Sequence, residues 1–255
     1  MAASWLKNAV FYEIYPQTFY DTNGDGIGDL QGIIQKLDYI KSLGCNALWL
    51  NPIYDSPFQD AGYDVRDHKK IAARYGTEED LVNLFNEAHK LGIKILLDLV
   101  PGHTSWEHPW FVESMKPEKN EFSGRYIWTD DAWKGFEGVG SIMGFMRGLS
   151  QRNGSVAVNF YCNQPALNYG FYEITDPAYQ QPMDHPDALA TREAMKDVMR
   201  FWLQMGCDGF RVDMAGSLVK NDPEQKGTIA LWRDVMDFLA REFPNAAMVS
   251  EWGQA

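Results

Sequence analysis

Three segments of the chain repeat one pattern, in which an amphipathic stretch of helical period ends at a glycine and a short apolar run follows. The glycines are Gly44, Gly92 and Gly206, and the runs after them cover residues 46–51, 94–100 and 208–213. A glycine at this position readily adopts the left-handed conformation that ends a helix. A short, nearly continuous apolar run is typical of a strand buried on both faces of a parallel sheet. The repeat therefore predicts βα units with parallel strands.

Other signals place the remaining elements of this alternating pattern. Helices are predicted at 29–43, 77–91, 187–205 and 225–242, with N-terminal signals at Asp29, Thr77 and Asp187. Strands are predicted at 9–15, 46–51, 94–100, 209–213 and 247–251. Five strands leave two architectures open: part of an eight-stranded barrel, or a complete doubly wound open sheet.

Residues 104–186 interrupt the alternation of helices and strands. This segment has no clear period and is too long for an ordinary βα loop. Its many Trp and Tyr residues argue against disorder, so we interpret it as a small inserted domain. The predicted organisation is thus a first barrel part at 1–103, an inserted domain at 104–186 and a continuation with strands 4 and 5 at 187–255.

Charge and cysteine content exclude several classes of protein. The 23 Lys and Arg against 35 Asp and Glu give a net charge of −12, which argues against nucleic-acid partners and acidic membranes. Three cysteines form neither a disulfide framework nor a CxxC metal site. No apolar run reaches about 18 residues and no signal-peptide core is present, so we expect a cytoplasmic protein. The oligomeric state stays open.

Polar side chains stand at the ends of successive predicted strands: Asn51, Asp98, His103, Arg211, Asp213 and Glu251. In a βα barrel these ends meet on the face that carries active sites. Taken singly, a strand-end Asp is more often a capping or turn residue. Coincidences on four strands are hard to attribute to capping, so the pattern predicts an active site.

Two carboxylates carry the mechanistic prediction. Arg211 and Asp213 point to the same face of one strand, so the guanidinium is expected to hold Asp213 ionised, as a nucleophile requires. Glu251 precedes Trp252, whose apolar ring would favour the protonated carboxyl group. One ionised and one protonated carboxyl group is the arrangement used for glycoside hydrolysis.

These motifs resemble the signature regions of the α-amylase superfamily, family 13 of the glycoside hydrolases. The first three signatures are similar to Asp-Leu-Val-Pro-Gly-His at 98–103, Gly-Phe-Arg-Val-Asp at 209–213 and Val-Ser-Glu-Trp at 249–252. Two further motifs match Gly-Tyr-Asp-Val at 62–65 and Gln-Pro-Ala-Leu-Asn at 164–168. The resemblance covers nearly the whole chain, with the motifs in the family's order and spacing.

The resemblance implies a (β/α)8 TIM barrel with a domain inserted after strand 3, of which this chain holds about five of eight βα units. It implies a retaining α-glycosidase in which Asp213 is the nucleophile and Glu251 the general acid/base. The substrate-binding residues that it implies are Tyr63 under the sugar ring, Asp64 at the non-reducing end, His103 on a glucose hydroxyl, and Asp98 and Arg211 beside them. The substrate that it implies is an oligosaccharide. Within the superfamily, the chain is most similar to the branch of oligo-1,6-glucosidases and α-glucosidases.

Three departures from the family pattern are visible. Gly102 stands where the first signature normally has Asn, and Ala166 where an acidic residue is common. The fourth signature, a His-Asp pair that supplies a third carboxylate, is missing from the chain. We therefore expect the chain to be the N-terminal part of a longer enzyme and to be inactive by itself.

The segment Asp21-Thr-Asn-Gly-Asp-Gly-Ile-Gly-Asp29 has the spacing of the first part of an EF-hand loop. Its candidate calcium ligands are Asp21, Asn23, Asp25, the Ile27 carbonyl and Asp29. Position 12 of the loop is Gly32 and not a bidentate Glu, which excludes a helix–loop–helix sensor. Members of the oligo-glucosidase branch carry a similar calcium loop between the first strand and helix. The alternative is an acidic turn capped by Asp29.

The sequence leaves three alternatives to a glycosidase open. A transglycosylase or trehalose-synthase-like isomerase of the same superfamily would pass the glucosyl group to a sugar and not to water. A non-catalytic homologue would bind sugar or a protein partner. A five-stranded open α/β domain of another function would leave the motifs unexplained.

Overall fold

A computed structural model of the chain describes residues 3–134 and 142–251. The strands in these residues are β1 (Phe11–Ile14), β2 (Ala47–Leu50), β3 (Tyr54–Asp55), β4 (Asp67–Ile71), β5 (Lys94–Leu99), β6 (Gly144–Met146), β7 (Val156–Val158), β8 (Gly209–Val212) and β9 (Ala247–Ser250). The α-helices are α1 (Pro16–Phe19), α2 (Leu30–Gln35), α3 (Leu37–Ser42), α4 (Glu78–Lys90), α5 (Pro109–Ser114), α6 (Pro186–Met205) and α7 (Lys226–Glu242). Among the described residues, no helix is both long and apolar enough to span a membrane.

The central sheet has the order β1-β2-β5-β8-β9, and all its neighbouring strands are parallel. These are the five strands that the sequence predicted. Their spatial order follows the chain without a reversal, whereas a doubly wound sheet reverses its strand order at a switch point. The doubly wound alternative is therefore wrong, and the sheet is part of a βα barrel wall.

The glycines of the repeat end their helices as predicted. Gly44, Gly92 and Gly206 have φ values of +85°, +72° and +125°, in the region that an L side chain rarely adopts. The backbone N–H of Gly206, for example, donates to the Trp202 carbonyl at the end of α6. Each left-handed residue turns the chain from a helix into the next parallel strand.

The predicted helix at 29–43 is two short helices, α2 and α3, which meet at Lys36. Lys36 has ψ of 3° and breaks the regular ladder for one residue. The buried residues Leu30, Ile33, Leu37 and Ile40 nevertheless keep one apolar stripe across the break. Because periodicity reports only this stripe, it could not reveal the interruption.

The sequence did not predict the short hairpins outside the central sheet. Strands β3 and β4 form one antiparallel pair before α4, and β6 and β7 form another within residues 104–186. A small separate cluster of buried side chains lies in the same insertion: Ile127, Ile142, Ala157, Ala166 and Phe171. These features support an inserted domain, while the exact boundaries at 104 and 186 stay a prediction.

Helix α4 begins with a capping box. The Thr77 hydroxyl accepts a hydrogen bond from the Asp80 backbone N–H, and the Asp80 carboxylate accepts one from the Thr77 backbone N–H. Removing the hydroxyl leaves a first-turn N–H without its partner. We expect Thr77→Ala to lower the free energy of unfolding by about 1 kcal/mol, measured by urea denaturation. Thr77→Ser keeps the cap and is the matched control, and equal losses in both variants would contradict this account.

Candidate active site

Strand alternation brings the predicted catalytic residues together. Successive side chains of a strand face opposite sides, and β5 and β8 pair with Asp98 opposite Arg211. Leu97 and Phe210, one residue earlier on the same strands, belong to the main apolar core. Asp98 and Arg211 therefore lie on the other side of the sheet, which is the interior of the barrel. Asp213 and Glu251 follow directly after β8 and β9 on the same edge.

Arg211 binds three carboxylates. Its Nη1 lies 2.8 and 3.1 Å from the two oxygens of Asp98 and 3.2 Å from Oδ1 of Asp213. Its Nη2 lies 2.9 Å from Oε1 of Glu251. The guanidinium also stands 4.7 Å from the centre of the Trp49 ring, a cation–π contact. One cation thus holds acidic groups from three neighbouring strands at fixed distances.

The acidic groups differ in exposure. The Asp98 side chain is fully buried, that of Asp213 is 10% exposed and that of Glu251 is 46% exposed. The second Glu251 oxygen, Oε2, accepts a hydrogen bond of 3.0 Å from the backbone N–H of Met214. The shielded Asp213 carboxyl group has the environment expected of a nucleophile. The more accessible Glu251 carboxyl group has that of an acid which exchanges protons with solvent.

Asp213 and Glu251 border a cavity of about 720 Å³. Its lining includes Asp60, Tyr63, His103, Arg211, Asp213 and Glu251. Phe160 adds an apolar wall from the insertion. The cavity has the size and the mixed apolar and polar lining of a small-molecule site.

Asp98 lies behind the cavity rather than at it. Its oxygens accept hydrogen bonds from the Tyr63 hydroxyl at 2.9 Å and from Trp49 Nε1 at 3.0 Å, in addition to those from Arg211. Because Asp98 is only 1% exposed, it orients Tyr63 and Arg211 instead of contacting a substrate. This corrects the expectation that Asp98 binds substrate directly.

The structure also separates Asp64 from the cavity. Asp64 is fully buried, and its two oxygens accept hydrogen bonds from Ser56 Oγ and from the backbone N–H groups of Gln59 and Asp60. The carboxylate therefore shapes the loop before Tyr63 and does not face a sugar. Asp60, which the sequence analysis did not single out, lines the cavity in its place.

The Asp60 carboxylate is itself held by the insertion. Its Oδ2 accepts a hydrogen bond of 2.6 Å from Nε2 of Gln164, and partial burial raises its pKa. Gln164 belongs to the Gln-Pro-Ala-Leu-Asn motif, so the two sequence motifs that seemed separate meet at one edge of the cavity. The only signal for Asp60 was its position two residues before Gly62, at the start of the Gly-Tyr-Asp motif.

The protonation of Asp213 differs from the sequence prediction. Its pKa is raised to about 8, chiefly because burial penalises the charged form and also because Asp98 and Glu251 repel it, whereas Arg211 lowers it. Burial likewise raises the pKa of Asp98 to about 6, against the opposing effect of Arg211. Arg211 contacts Asp213 as predicted, but burial outweighs it. Trp252, expected to act on Glu251, lies outside the described residues.

The candidate calcium loop is exposed except at its ends. Asp21 accepts backbone hydrogen bonds from Asn23, Gly24 and Gly26, which lower its pKa, and Asp25 accepts one from Ile27. Within residues 3–134 and 142–251, no three His, Cys, Asp or Glu side chains are arranged to hold a metal ion.

Asp29 has a capping role in that loop. Its Oδ1 accepts a hydrogen bond of 2.7 Å from the Gly32 backbone N–H at the start of α2. Its Oδ2 accepts hydrogen bonds from the backbone N–H and the hydroxyl of Thr22. The alternative stated for this segment, a turn capped by Asp29, is thus present, and a metal ligand role for Asp29 stays a prediction.

Comparison with known protein families decides the class of the chain. The family described as alpha amylase, catalytic domain, matches residues 13–252. The chain belongs to the α-amylase family. It is 43% identical over 220 residues to an oligo-1,6-glucosidase of Heyndrickxia coagulans, covering 85% of this chain and 37% of that protein. It is 39% identical over 263 residues to a trehalose synthase/amylase of Mycolicibacterium smegmatis, covering 98% of this chain and 41% of that protein.

Solved structures of the family agree with the fold. A trehalose-6-phosphate hydrolase of Bacillus licheniformis superposes with a TM-score of 0.83 at 32% identity, over 98% of this chain and 45% of that chain. The structural neighbours are TIM-barrel enzymes, so the five parallel strands form part of such a barrel. The chain spans about two fifths of the length of the curated relatives it matches.

The raised pKa of Asp213 predicts a pH dependence of stability. The unfolded chain loses this proton near the ordinary value of 3.8, whereas the folded chain keeps it to about pH 8. The folded state therefore loses stability from this group as the pH rises between these values. Asp213→Asn, which stays neutral, should match the wild-type melting temperature near pH 4 and exceed it by a margin that grows toward pH 8. Asp38→Asn on the exposed side of α3 is the control, and a constant margin would contradict the assignment.

Proposed function

We propose that this chain contributes the catalytic residues of a retaining α-glycosidase, which hydrolyses α-glucosidic bonds of short oligosaccharides. The observation that supports this most directly is the Asp213–Arg211–Glu251 arrangement at the cavity of an α-amylase family chain. A retaining enzyme needs one carboxylate that attacks and one carboxylic acid that protonates the leaving oxygen.

The two steps follow from the positions of these groups. The Glu251 carboxyl group donates its proton to the glycosidic oxygen while that oxygen leaves the anomeric carbon, and an oxygen of Asp213 bonds to the same carbon. Water then gives a proton to Glu251 and attacks the anomeric carbon, which breaks the ester to Asp213 and releases the sugar. Atoms and charges balance over the two steps.

The raised pKa of Asp213 is compatible with this cycle. Asp213 and Glu251 both contact Arg211, and the nearness of Glu251 contributes to the raised pKa of Asp213, so one proton would serve the pair. When this proton moves from Asp213 to Glu251, Asp213 becomes the ionised nucleophile and Glu251 becomes the protonated acid. Arg211, in contact with both groups, stabilises the negative charge wherever the proton leaves it.

Recognition of the substrate would fall to residues on the cavity wall. The Tyr63 ring offers an apolar face to a sugar ring, and its hydroxyl is fixed by Asp98. The Asp60 carboxylate would accept hydrogen bonds from sugar hydroxyls at the non-reducing end, the role first expected of Asp64. His103 lines the same cavity.

A glucosyl transfer or isomerisation is the second candidate function. The trehalose synthase/amylase relative aligns with 98% of this chain, against 85% for the oligo-1,6-glucosidase. The chemistry up to the covalent intermediate is the same, and only the acceptor differs. Nuclear magnetic resonance of the products from maltose distinguishes the two, because hydrolysis yields only glucose and isomerisation yields trehalose.

The catalytic assignment predicts opposite behaviour for two isosteric variants. In the complete enzyme, Asp213→Asn should reduce turnover by at least about 10⁴-fold with every substrate, because no glycosyl ester can form. Glu251→Gln should lose natural disaccharides but keep slow release of p-nitrophenol from its α-glucoside, whose leaving group needs no proton. An activated fluorosugar should label Asp213, identified by mass spectrometry of peptides. Label on another residue, or turnover unchanged in both variants, would overturn the assignment.

We also propose that the loop from Asp21 to Asp29 binds one calcium ion. All its candidate ligands are oxygens, the atoms that calcium prefers, and an ionised carboxylate that accepts an N–H still has free lone pairs. Asp21, Asn23, Asp25 and the Ile27 carbonyl would hold the ion, with Asp29 fixing the end of the loop.

Calcium is expected to stabilise the metal-stripped chain by mass action. At a free calcium concentration of about 100 times the dissociation constant the gain is about 2.7 kcal/mol, seen as a higher melting temperature. Excess chelator should reverse the effect, and Asp25→Asn should reduce it, while Asp38→Asn should not. A melting temperature that calcium and chelator leave unchanged would count against the site.

A further inference from the structure

A chain of buried hydrogen bonds runs from Lys220 to Tyr63 beside the cavity. Lys220 Nζ lies 3.3 Å from Oδ1 of Asn159, and Nδ2 of Asn159 lies 2.9 Å from Nδ1 of His103. Nε2 of His103 lies 3.1 Å from the backbone oxygen of Tyr63. Lys220, Asn159 and His103 are 0%, 1% and 2% exposed.

The chemistry of the groups fixes the direction of every bond. The Tyr63 backbone oxygen only accepts, which requires a hydrogen on Nε2 of His103. Burial lowers the pKa of Lys220 to about 7, and its Nζ has hydrogens to donate with or without the charge, so the Asn159 oxygen faces Lys220 and the Asn159 NH₂ group faces His103. Nδ1 of His103 must then accept, and the single ring hydrogen must be on Nε2, from which it is donated to Tyr63. Burial lowers the pKa of His103 to about 3, which agrees with a neutral ring holding one hydrogen.

Gly102 provides the space for this arrangement. A Cβ atom at Gly102 would lie 2.8 Å from Nδ2 of Asn159, closer than such atoms approach one another in proteins. Any side chain at position 102 would therefore displace the Asn159 amide from His103. The glycine that departs from the family's first signature and the asparagine in the insertion are physically linked.

The same amide also borders the catalytic groups. Nδ2 of Asn159 lies 3.5 Å from the Met214 sulfur, and the Met214 backbone N–H donates to Glu251. Lys220 is further fixed by a hydrogen bond of 2.6 Å to the Ser217 carbonyl, in the segment that follows Asp213. The insertion and the loop after β8 are thereby joined at the cavity wall.

We propose that Asn159 and Lys220 are positioning residues that lock His103 as its Nε2–H tautomer and through it hold Tyr63 at the cavity. In this tautomer His103 can only donate a hydrogen bond to a sugar hydroxyl. The donor is its Nε2–H group, which also donates to the Tyr63 carbonyl. The inference deepens the proposed glycosidase function, on which the sugar contact rests. The hydrogen-bond chain itself is a property of the folded protein and is measured without turnover.

The test is the tautomer of His103, read from the ¹⁵N nuclear magnetic resonance of the histidine-labelled protein. The chain has five His, and a His103→Gln variant assigns the signal. The wild type should show Nδ1 without and Nε2 with a hydrogen at neutral pH. Asn159→Asp keeps the shape but replaces the donor by an acceptor, so Nδ1 should gain a hydrogen and the pKa of His103 should rise.

Two further variants and one control keep the test independent of how well Asn159→Asp folds. Gly102→Ala should displace the Asn159 amide and weaken the Nε2–H signature, whereas Gly144→Ala, with nothing within 4 Å of the added Cβ, should leave it unchanged. Lys220→Met should leave the amide free to turn over and give a mixture of tautomers. A wild-type signature with hydrogen on Nδ1, or an unchanged signature in Asn159→Asp, would overturn the proposal.

In the active enzyme the same variants separate positioning from catalysis. Asn159→Asp should raise KM and alter the pH profile near the new pKa of His103, while labelling of Asp213 by the fluorosugar still occurs. If the tautomer responds as expected but no glycosidase is found, the proposed function fails alone. If the fluorosugar labels Asp213 but the tautomer does not respond, only the positioning role fails.

Discussion

The site depends on one cation, Arg211, which contacts three carboxyl groups on or directly after three neighbouring strands. Bringing Asp98, Asp213 and Glu251 to one edge of a buried sheet would be strongly unfavourable without it, because buried charges require a paired and hydrogen-bonded partner. The Arg211 guanidinium in turn lies 4.7 Å from the centre of the Trp49 ring, a cation–π contact. The positive charge of Arg211 therefore stabilises the cluster of carboxyl groups and also fixes the positions of Asp213 and Glu251.

This dependence explains why Asp98 lies behind the cavity although it occupies a signature position. The buried Asp98 carboxylate accepts hydrogen bonds from Arg211 and from the Tyr63 hydroxyl on the side away from the cavity. It therefore fixes the positions of both Arg211 and Tyr63. Asp213, one step nearer to the cavity, keeps a weaker contact with Arg211 and a raised pKa. The gradient of burial from Asp98 to Glu251 separates a carboxylate behind the cavity from two carboxyl groups that line it.

The strands and the residues at their ends could be predicted from the sequence because apolar runs and period-two alternation are local properties. The loop that carries Asp60 and Asp64 could not. Phe58 and Ala61 in this loop have φ values of +59° and +55°, a conformation that neither residue type favours. In this loop Asp64 is buried and Asp60, which lies four residues earlier, lines the cavity. A motif aligned in sequence therefore pointed to Asp64, which is buried, and not to Asp60.

The protonation of Asp213 was missed for a related reason, because a pair of residues in sequence shows a partner but not the burial around it. Gly102 illustrates the same limit at longer range. Read alone, the missing Asn side chain is a loss at a signature position, yet the space is filled by an amide from Asn159, 57 residues along the chain in the insertion. The effect of a substitution inside a motif thus depends on which other side chain fills the space that the smaller residue leaves. In this fold that side chain comes from the inserted domain, which makes the insertion part of the active-site wall.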